Sequence, residues 1–275
     1  MHLLQKVHIM KYKVGFIGCG NMASAIIAGL INKANISPTD IIASDASEEA
    51  LKKTSASLGI ANTTDNCNVA ANSHILFLSV KPQYYETVIS EIKDCITDSQ
   101  IIVTIAPGKT LSWLSEKLGS NTKIVRTMPN TPALVGEGIT GVCKNNLVTD
   151  EEFALVMNLL SSFGLAEAIP ESLMDVCVSV SGSSPAYVFM FIEAMADAAV
   201  SDGMPRAQAY KFAAQAVLGS AKMVLETGKH PGELKDMVCS PGGTTIEAVR
   251  VLEEKGLRSS VIEAMKACTK KAKGL

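Results

Sequence analysis

The chain of 275 residues carries 25 Lys and Arg against 27 Asp and Glu, a formal net charge of -2 that removes any overall electrostatic case for nucleic acid or an anionic membrane. Its 47% hydrophobic and 19% charged residues, with a mean hydropathy of +0.23, exclude intrinsic disorder, which needs low hydropathy and high net charge. No apolar run approaches the roughly 18 residues of a spanning helix, the densest being 75–80 and 186–192, so the excess apolar surface is expected in a core or a subunit interface.

Residues 1–9 hold an apolar patch broken by Gln5, Lys6 and His8 and no small-residue cleavage site, and so fail as a signal peptide. Met10 before Lys11-Tyr12-Lys13 reads as a natural start, with the first nine residues a dispensable extension. From there to about residue 170 short apolar runs alternate with helical stretches, the signature of βαβ units and a parallel sheet. Strands are expected at 13–17, 41–44, 75–80, 101–105 and 122–126, with helices over 24–31 and 47–58. The strands stop at Gly18, Asp45, Lys81-Pro82, Ala106-Pro107-Gly108 and Met128-Pro129-Asn130-Thr131-Pro132. Ligands of open α/β sheets bind outside the carboxyl ends of the strands, so these ends together form one candidate site.

Beyond about residue 170 the pattern changes to Ala- and Met-rich helices over 185–200, 205–227, 244–255 and 259–272. Pro185 and Pro205 fit first-turn positions, and Gly228 and Gly256 fit helix ends. Residues 186–200 are apolar almost all the way round, interrupted by Glu193 and Asp197. About a hundred residues of helix can hardly enclose such a segment alone, so a second subunit is expected to help bury it.

Gly18-Cys19-Gly20-Asn21-Met22-Ala23 follows a strand and opens a helix, the context in which a G-x-G-x-x-A motif points to a dinucleotide. The first Gly allows the tight turn, the second lets the backbone approach a pyrophosphate, and Ala23 stands where helix and strand pack. The helix amino end then offers N–H groups and a positive dipole to the phosphates. Asp45, closing the second strand, is placed to bind the adenosine ribose hydroxyls and repel a 2′-phosphate, which favours NADH over NADPH. Against that, Ser44 and Ser47 are able to hydrogen-bond a phosphate.

Ser181-Gly182-Ser183-Ser184-Pro185-Ala186-Tyr187 lacks the preceding strand and the His of a serine nucleophile site, so its hydroxyls are expected to cap a helix. Ser240-Pro241-Gly242-Gly243-Thr244-Thr245 reads either as a small nest for a carboxylate or as a well-capped helix start. Seven cysteines, at 19, 67, 95, 143, 177, 239 and 268, make no C-x-x-C pair, and four scattered histidines make no metal-ligand spacing. Reduced, buried cysteines of a cytoplasmic protein, and no metal, are expected.

With these motifs in order the sequence resembles the pyrroline-5-carboxylate reductase family from Met10 onward. The resemblance is carried by Gly15-Phe16-Ile17-Gly18-Cys19-Gly20-Asn21-Met22-Ala23, Ser79-Val80-Lys81-Pro82, Arg126 with Met128-Pro129-Asn130-Thr131-Pro132, Glu137-Gly138, the 181–187 loop and, above all, Asp236-x-Val238-x-Ser240-Pro241-Gly242-Gly243-Thr244-Thr245. It implies that Gly18, Gly20, Asn21 and Met22 hold the cofactor pyrophosphate, that Asn66 contacts the adenosine side, and that Val80, Lys81, Pro82 and Ala106 line the nicotinamide side. It further implies that Ser240, Gly242, Gly243, Thr244 and Thr245 bind the substrate carboxylate, with the backbone of Val238 facing the ring. Ser184 stands where the family has Gly, and Val178 where a Thr is common, departures that touch fine substrate contacts.

The expected fold is α/β: an N-terminal Rossmann-like dinucleotide-binding domain, residues 1–170, and a C-terminal all-helical dimerisation and substrate domain, residues 171–275, of the 6-phosphogluconate-dehydrogenase-like kind. The expected activity is hydride transfer from NADPH or NADH to the imine carbon of 1-pyrroline-5-carboxylate, giving L-proline. Such a substrate carries its own proton as an iminium, so no strong protein acid is demanded, and the Thr245 hydroxyl is the candidate to orient the ring nitrogen. The resemblance also implies a homodimer, with a decamer as a higher form and a site between domains completed by a partner subunit. Two other readings stand beside it. A β-hydroxyacid dehydrogenase would need a Lys on the first long helix of the second domain, and 185–200 has none. A non-enzymatic dinucleotide sensor would have no use for the 240–245 loop.

Overall fold

The structure, a computed structural model, describes residues 10–274, so the expectations for residues 1–9 lie outside it. The chain forms two compact units, one running to Gly182 and taking in Thr269 onward, the other Ser183–Cys268.

The first unit is built on eight strands: β1 (Tyr12–Ile17), β2 (Ile41–Ser44), β3 (Ala61–Thr63), β4 (Ser73–Leu78), β5 (Ile101–Thr104), β6 (Lys123–Met128), β7 (Gly138–Lys144) and β8 (Gly164–Ala168). Their order is β3-β2-β1-β4-β5-β6-β7-β8. β1 to β6 are parallel, β7 pairs antiparallel with β6, and β8 is parallel to β7. Helices α1 (Asn21–Asn32), α2 (Glu48–Leu58), α3 (Asn66–Ala71), α4 (Tyr85–Ile92), α5 (Leu111–Leu118), α6 (Asp150–Leu160) and α7 (Met174–Cys177) accompany it.

The central strands read as continuous apolar runs because helices cover both faces. Alternate residues enter separate cores. Val14, Phe16, Phe77, Val103 and Val125 pack with Ile26, Ile27 and Leu30 of α1 and Val156 and Leu160 of α6. Leu76, Leu78, Ile102 and Ile124 pack with Val69 of α3, Tyr85 and Ile89 of α4 and Leu114 of α5. Phe16 and Phe77, register partners across β1 and β4, stack with centroids 4.8 Å apart.

The five expected strands are present within two residues of their expected ends, while β3, β7 and β8 are additions. One cysteine expectation is corrected: Cys67 and Cys95 form a disulfide across 28 residues of sequence, with Cα atoms 5.6 Å apart. The strand β4 between them returns the chain so that the start of α3 and the end of α4 meet, a proximity that spacing does not advertise. Of the free thiols Cys19 and Cys143 are buried, whereas Cys177, Cys239 and Cys268 are half-buried.

The second unit holds α8 (Ser184–Ser201), α9 (Arg206–Thr227), α10 (Pro231–Val238), α11 (Thr244–Glu254) and most of α12 (Leu257–Ala272). Pro185 sits in the first turn of α8, but Pro205 is the N-cap of α9 in extended conformation, one step earlier than expected. Gly228 closes α9 in the left-handed region. Among the described residues of this unit only Ala196, Ala209 and Ala213 are buried, while Phe189 is 63% exposed, Met190 69%, Phe212 68% and Leu225 78%. The helical run Glu171–Ser201 contains an 18-residue window of mean hydropathy 1.3, apolar and long enough to cross a membrane by length and composition. That corrects the expectation that no stretch qualifies, and its cause is the helical turn at Val178–Gly182, which joins α7 to α8 where a loop was expected.

Candidate active site

The order of the sheet reverses between β1 and β4, and a cleft opens at that switch point. Gly18 and Gly20 after β1, Asp45 and Ser47 after β2, and Ser79, Val80 and Lys81 after β4 line a cavity of about 500 Å³, joined by Asn66, Tyr84 and Glu91. Three of the five candidate strand ends therefore build it.

The turn after β1 is set by close approach. Gly18 has φ 103°, and a Cβ there would stand 2.7 Å from the Ser79 carbonyl oxygen, so only glycine lets β1 and β4 end side by side. Ser79 Oγ donates to the carbonyls of Ile17 and Gly18, at 3.1 and 2.9 Å. The Cys19 peptide is gripped on both sides: its N–H donates to Asp45 Oδ2 at 2.6 Å, and its carbonyl accepts from Thr54 Oγ1 of α2 at 3.3 Å. Burial, and after it the Asp45 carboxylate, push the Cys19 thiol up to about 12, so it stays neutral.

Gly20 is exposed, and a Cβ there would meet nothing within 4 Å. It is the N-cap of α1 and supplies no side chain to it, whereas α2, α3, α5 and α6 are capped by Ser47, Asp65, Thr110 and Thr149. With no acid in its first turn, α1 begins at Asn21 and Met22 with uncapped N–H groups and the positive end of its dipole beside the cleft. Those features fit a pyrophosphate, and the missing Cβ at Gly20 supplies its room.

Asp45 stands at the end of β2, and both its oxygens are engaged, Oδ2 by Cys19 and Oδ1 by the Ser47 N–H at 2.8 Å. A carboxylate accepts further hydrogen bonds, so ribose hydroxyls still find lone pairs there. Ser44 is fully buried and donates to Asn66 Oδ1 at 2.7 Å, so its hydroxyl is not turned to a phosphate as expected but orients Asn66. Asn66 Nδ2 in turn donates to Glu91 Oε2 at 2.7 Å. Val80 and Lys81 line the cleft and Pro82 opens the turn Pro82–Tyr84 that leads into α4. Ala106 is buried and outside the cleft lining. Tyr85 beneath donates to the Leu78 carbonyl at 2.6 Å, and burial holds its hydroxyl above the usual range against nearby Ile105 and Ala106 amides. Ser79 entered the sequence reading only as part of the Ser79-Val80-Lys81-Pro82 motif, and Tyr84 and Glu91 not at all; Tyr84 ends the turn before α4 and Glu91 lies on α4, so their place after a strand already named is the only signal they carry.

A second polar element lies in the helical unit, in the loop from α10 to α11. Val238 ends α10 and is exposed, as are Ser240, Gly242 and Thr244, while Thr245 is half-buried. Gly242 has φ 67° and Gly243 donates to the Ser240 carbonyl at 3.0 Å. A Cβ at Gly243 would run into Ser240 Oγ, so the loop closes tightly on Ser240. Gly243 is the N-cap of α11 without a side-chain cap, which leaves a helix start flanked by three hydroxyls, suited to a carboxylate. The acid of that first turn, Glu247, is bound by Arg250 at 2.7 Å. By contrast, the 181–187 hydroxyls do not cap α8. Ser183 is its N-cap without a capping bond and accepts from Cys268 Sγ at 3.3 Å, and Ser181 donates to the Cys177 carbonyl at 2.9 Å.

Known proteins bear on both elements. A family model described as pyrroline-5-carboxylate reductase dimerisation matches residues 171–275, and one described as NADP oxidoreductase, coenzyme F420-dependent, matches residues 13–108. The pyrroline-5-carboxylate reductase of Escherichia coli (strain K12) is 56% identical over 266 residues, spanning 97% of this chain and 99% of its own length. Among solved structures, a pyrroline-5-carboxylate reductase from Coxiella burnetii superposes with TM-score 0.88 at 36% identity, covering 96% of this chain and 98% of that one. Plasmodium falciparum pyrroline carboxylate reductase with NADP bound does so with TM-score 0.87 at 32% identity, covering 97% and 98%.

Proposed function

The chain belongs to the pyrroline-5-carboxylate reductase family, and from that premise we propose how its own residues carry the reaction. It is an oxidoreductase of proline biosynthesis that reduces 1-pyrroline-5-carboxylate to L-proline with NAD(P)H. The observation that carries this is the 56% identity with the Escherichia coli reductase along nearly the whole of both chains. Neither the sensor nor the β-hydroxyacid reading has a comparable support.

Bound NAD(P)H supplies a hydride. It reaches the imine carbon as the electron pair of the C=N bond moves to a nitrogen that already holds, or then takes up, one proton. Gly18, Gly20 and the first amides of α1, Asn21 and Met22, hold the pyrophosphate. Asp45 binds the adenosine ribose, Asn66 braces the adenosine side with Ser44 behind it, and Val80, Lys81, Pro82 and Ala106 shape the nicotinamide side. In the helical unit, Ser240, Gly242, Gly243 and Thr244 fix the substrate carboxylate at the start of α11, the Val238 backbone faces the ring, and the Thr245 hydroxyl orients the ring nitrogen. Asp45 and Glu91 place two carboxylates on the cleft against the single amine of Lys81, a balance that opposes a 2′-phosphate and makes NADH the preferred donor. We place the dinucleotide-binding domain at residues 1–170 and the dimerisation and substrate domain at 171–275, in a cytoplasmic enzyme whose dimers assemble into a decamer.

The test is the oxidation of NADH and NADPH with pyrroline-5-carboxylate, with a six-membered imine acid and a β-hydroxy acid in parallel. Turnover of the five-membered imine is expected, faster with NADH; a bound dinucleotide without turnover would sink the reaction. Thr245→Ala should lower kcat with dinucleotide affinity kept, and unchanged kinetics would refute its role.

A further inference from the structure

Two cysteines beside the cleft stand outside every role given above. Cys67 follows Asn66 in the first turn of α3, and Cys95 lies just past α4, its N–H on the Ile92 carbonyl at 2.8 Å. They are joined, with Cα atoms 5.6 Å apart, and both are half-buried, within reach of solvent. The bond brackets a hydrogen-bonded pair: Asn66 Nδ2 donates to Glu91 Oε2 at 2.7 Å, and both residues line the cleft. Cys67 Sγ also sits 3.0 Å from the Glu91 carbonyl oxygen. A covalent tie between the start of α3 and the end of α4 thus holds the pair that forms one wall of the cavity.

We propose that Cys67 and Cys95 are a reversible redox modification site that sets the affinity of the cleft for its dinucleotide. Without the bond, the amino end of α3, a helix of only six residues whose far end is held by the buried Val69 and Ala70, keeps the Asn66 side chain in place through its hydrogen bonds to Ser44 and Glu91, and short elements near a surface open locally at low cost. With it, the wall is organised before the ligand arrives, which removes an ordering cost from binding. In a reducing compartment such a bond is transient and responsive. The chemistry is thiol–disulfide exchange. One cysteine thiolate attacks an incoming disulfide, releasing one thiol; the other then attacks the mixed disulfide, releasing the second, so that two electrons and two protons pass to the incoming disulfide. A dithiol reverses both steps.

The proposal rests on the adenosine role given to Asn66, and the test keeps the two apart. The full-length protein is equilibrated in glutathione buffers from reduced to oxidised, the bridged fraction is counted by mass after alkylation, and KM and kcat for NADH are measured with pyrroline-5-carboxylate. The bridged enzyme is expected to show a KM about threefold or more below that of the dithiol, with kcat unchanged. Cys67→Ser and Cys95→Ser should each hold KM at the dithiol value in every buffer. A pair that never bridges, a bridge that leaves KM unchanged, or a redox response that survives Cys67→Ser overturns the proposal. If Asn66→Ala leaves the KM of the dithiol form unchanged, the adenosine reading fails, while a redox response of the native chain still supports the switch.

Discussion

Gly18 and Gly20 are two residues apart and fail in different ways when given a methyl group. Gly18→Ala forces a left-handed alanine against the end of β4 and should cost about 1–3 kcal/mol of stability, read from the denaturant midpoint. Gly20→Ala meets no protein atom, so its midpoint should be unchanged while the NADH KM rises roughly tenfold, about 1.4 kcal/mol of binding. Asp45→Ala should weaken NADH more than NADPH, and equal effects on both would dispose of the ribose assignment. The buried thiols add a pH dependence. Burial chiefly pushes Cys19 and Cys143 from 9.0 up to about 12, so the folded chain holds their protons more tightly than the unfolded one. Their contribution is whole below pH 9 and is lost as pH rises from there toward 12; Cys19→Ala with Cys143→Ala should flatten that decline in unfolding midpoints. At this scale the glycines and Asp45 were legible because a strand, a turn and a helix surround them. Asn66 was reached only through the family resemblance, and Glu91 not at all, because their meeting depends on two helices packing side by side.

Among elements, the strands that escaped the sequence are those with least apolar character. β3 has three residues and a single neighbour, β2. β7 holds two glycines, and β8 reads Gly-Leu-Ala-Glu-Ala, composition with weak strand preference that pairing alone makes a strand. α10 was missed because its start is marked by His230, whose Nδ1 accepts from the Gly232 N–H at 3.0 Å, an uncommon cap. A buried arginine joins β6 to α5 and α7. Arg126 of β6 is 5% exposed in its side chain and donates to Glu171 Oε1 at 2.8 Å, with Asp175 at 3.7 Å. The same Glu171 oxygen accepts the Leu111 N–H that opens α5, at 2.6 Å. Arg126→Leu leaves two partly buried carboxylates without their cation and should cost about 3 kcal/mol, measured by urea unfolding. Thr149 and Glu152 form a capping box on α6, and Thr149→Ala should cost about 1 kcal/mol in the same assay.

For the whole molecule the uncovered helices decide behaviour. The apolar character of residues 186–200 is by itself enough to call for a partner, and the helices present Phe189, Met190, Phe212 and Leu225 outward within the region matched by the dimerisation model. Phe189→Glu with Phe212→Glu should convert the oligomer to monomers in sedimentation equilibrium and abolish turnover; an unaltered mass would show that the interface lies elsewhere. Whether dimers assemble further was not legible, since no patch in the sequence specifies how pairs would pack on pairs. A helical unit that buries three alanines and leaves its large side chains outside gathers its core from another chain, so its maturation is bimolecular. After dilution from denaturant the sheet unit should recover its signal at a rate independent of protein concentration. Activity should return by second-order kinetics, with a half-time that shortens in proportion as the chain is concentrated.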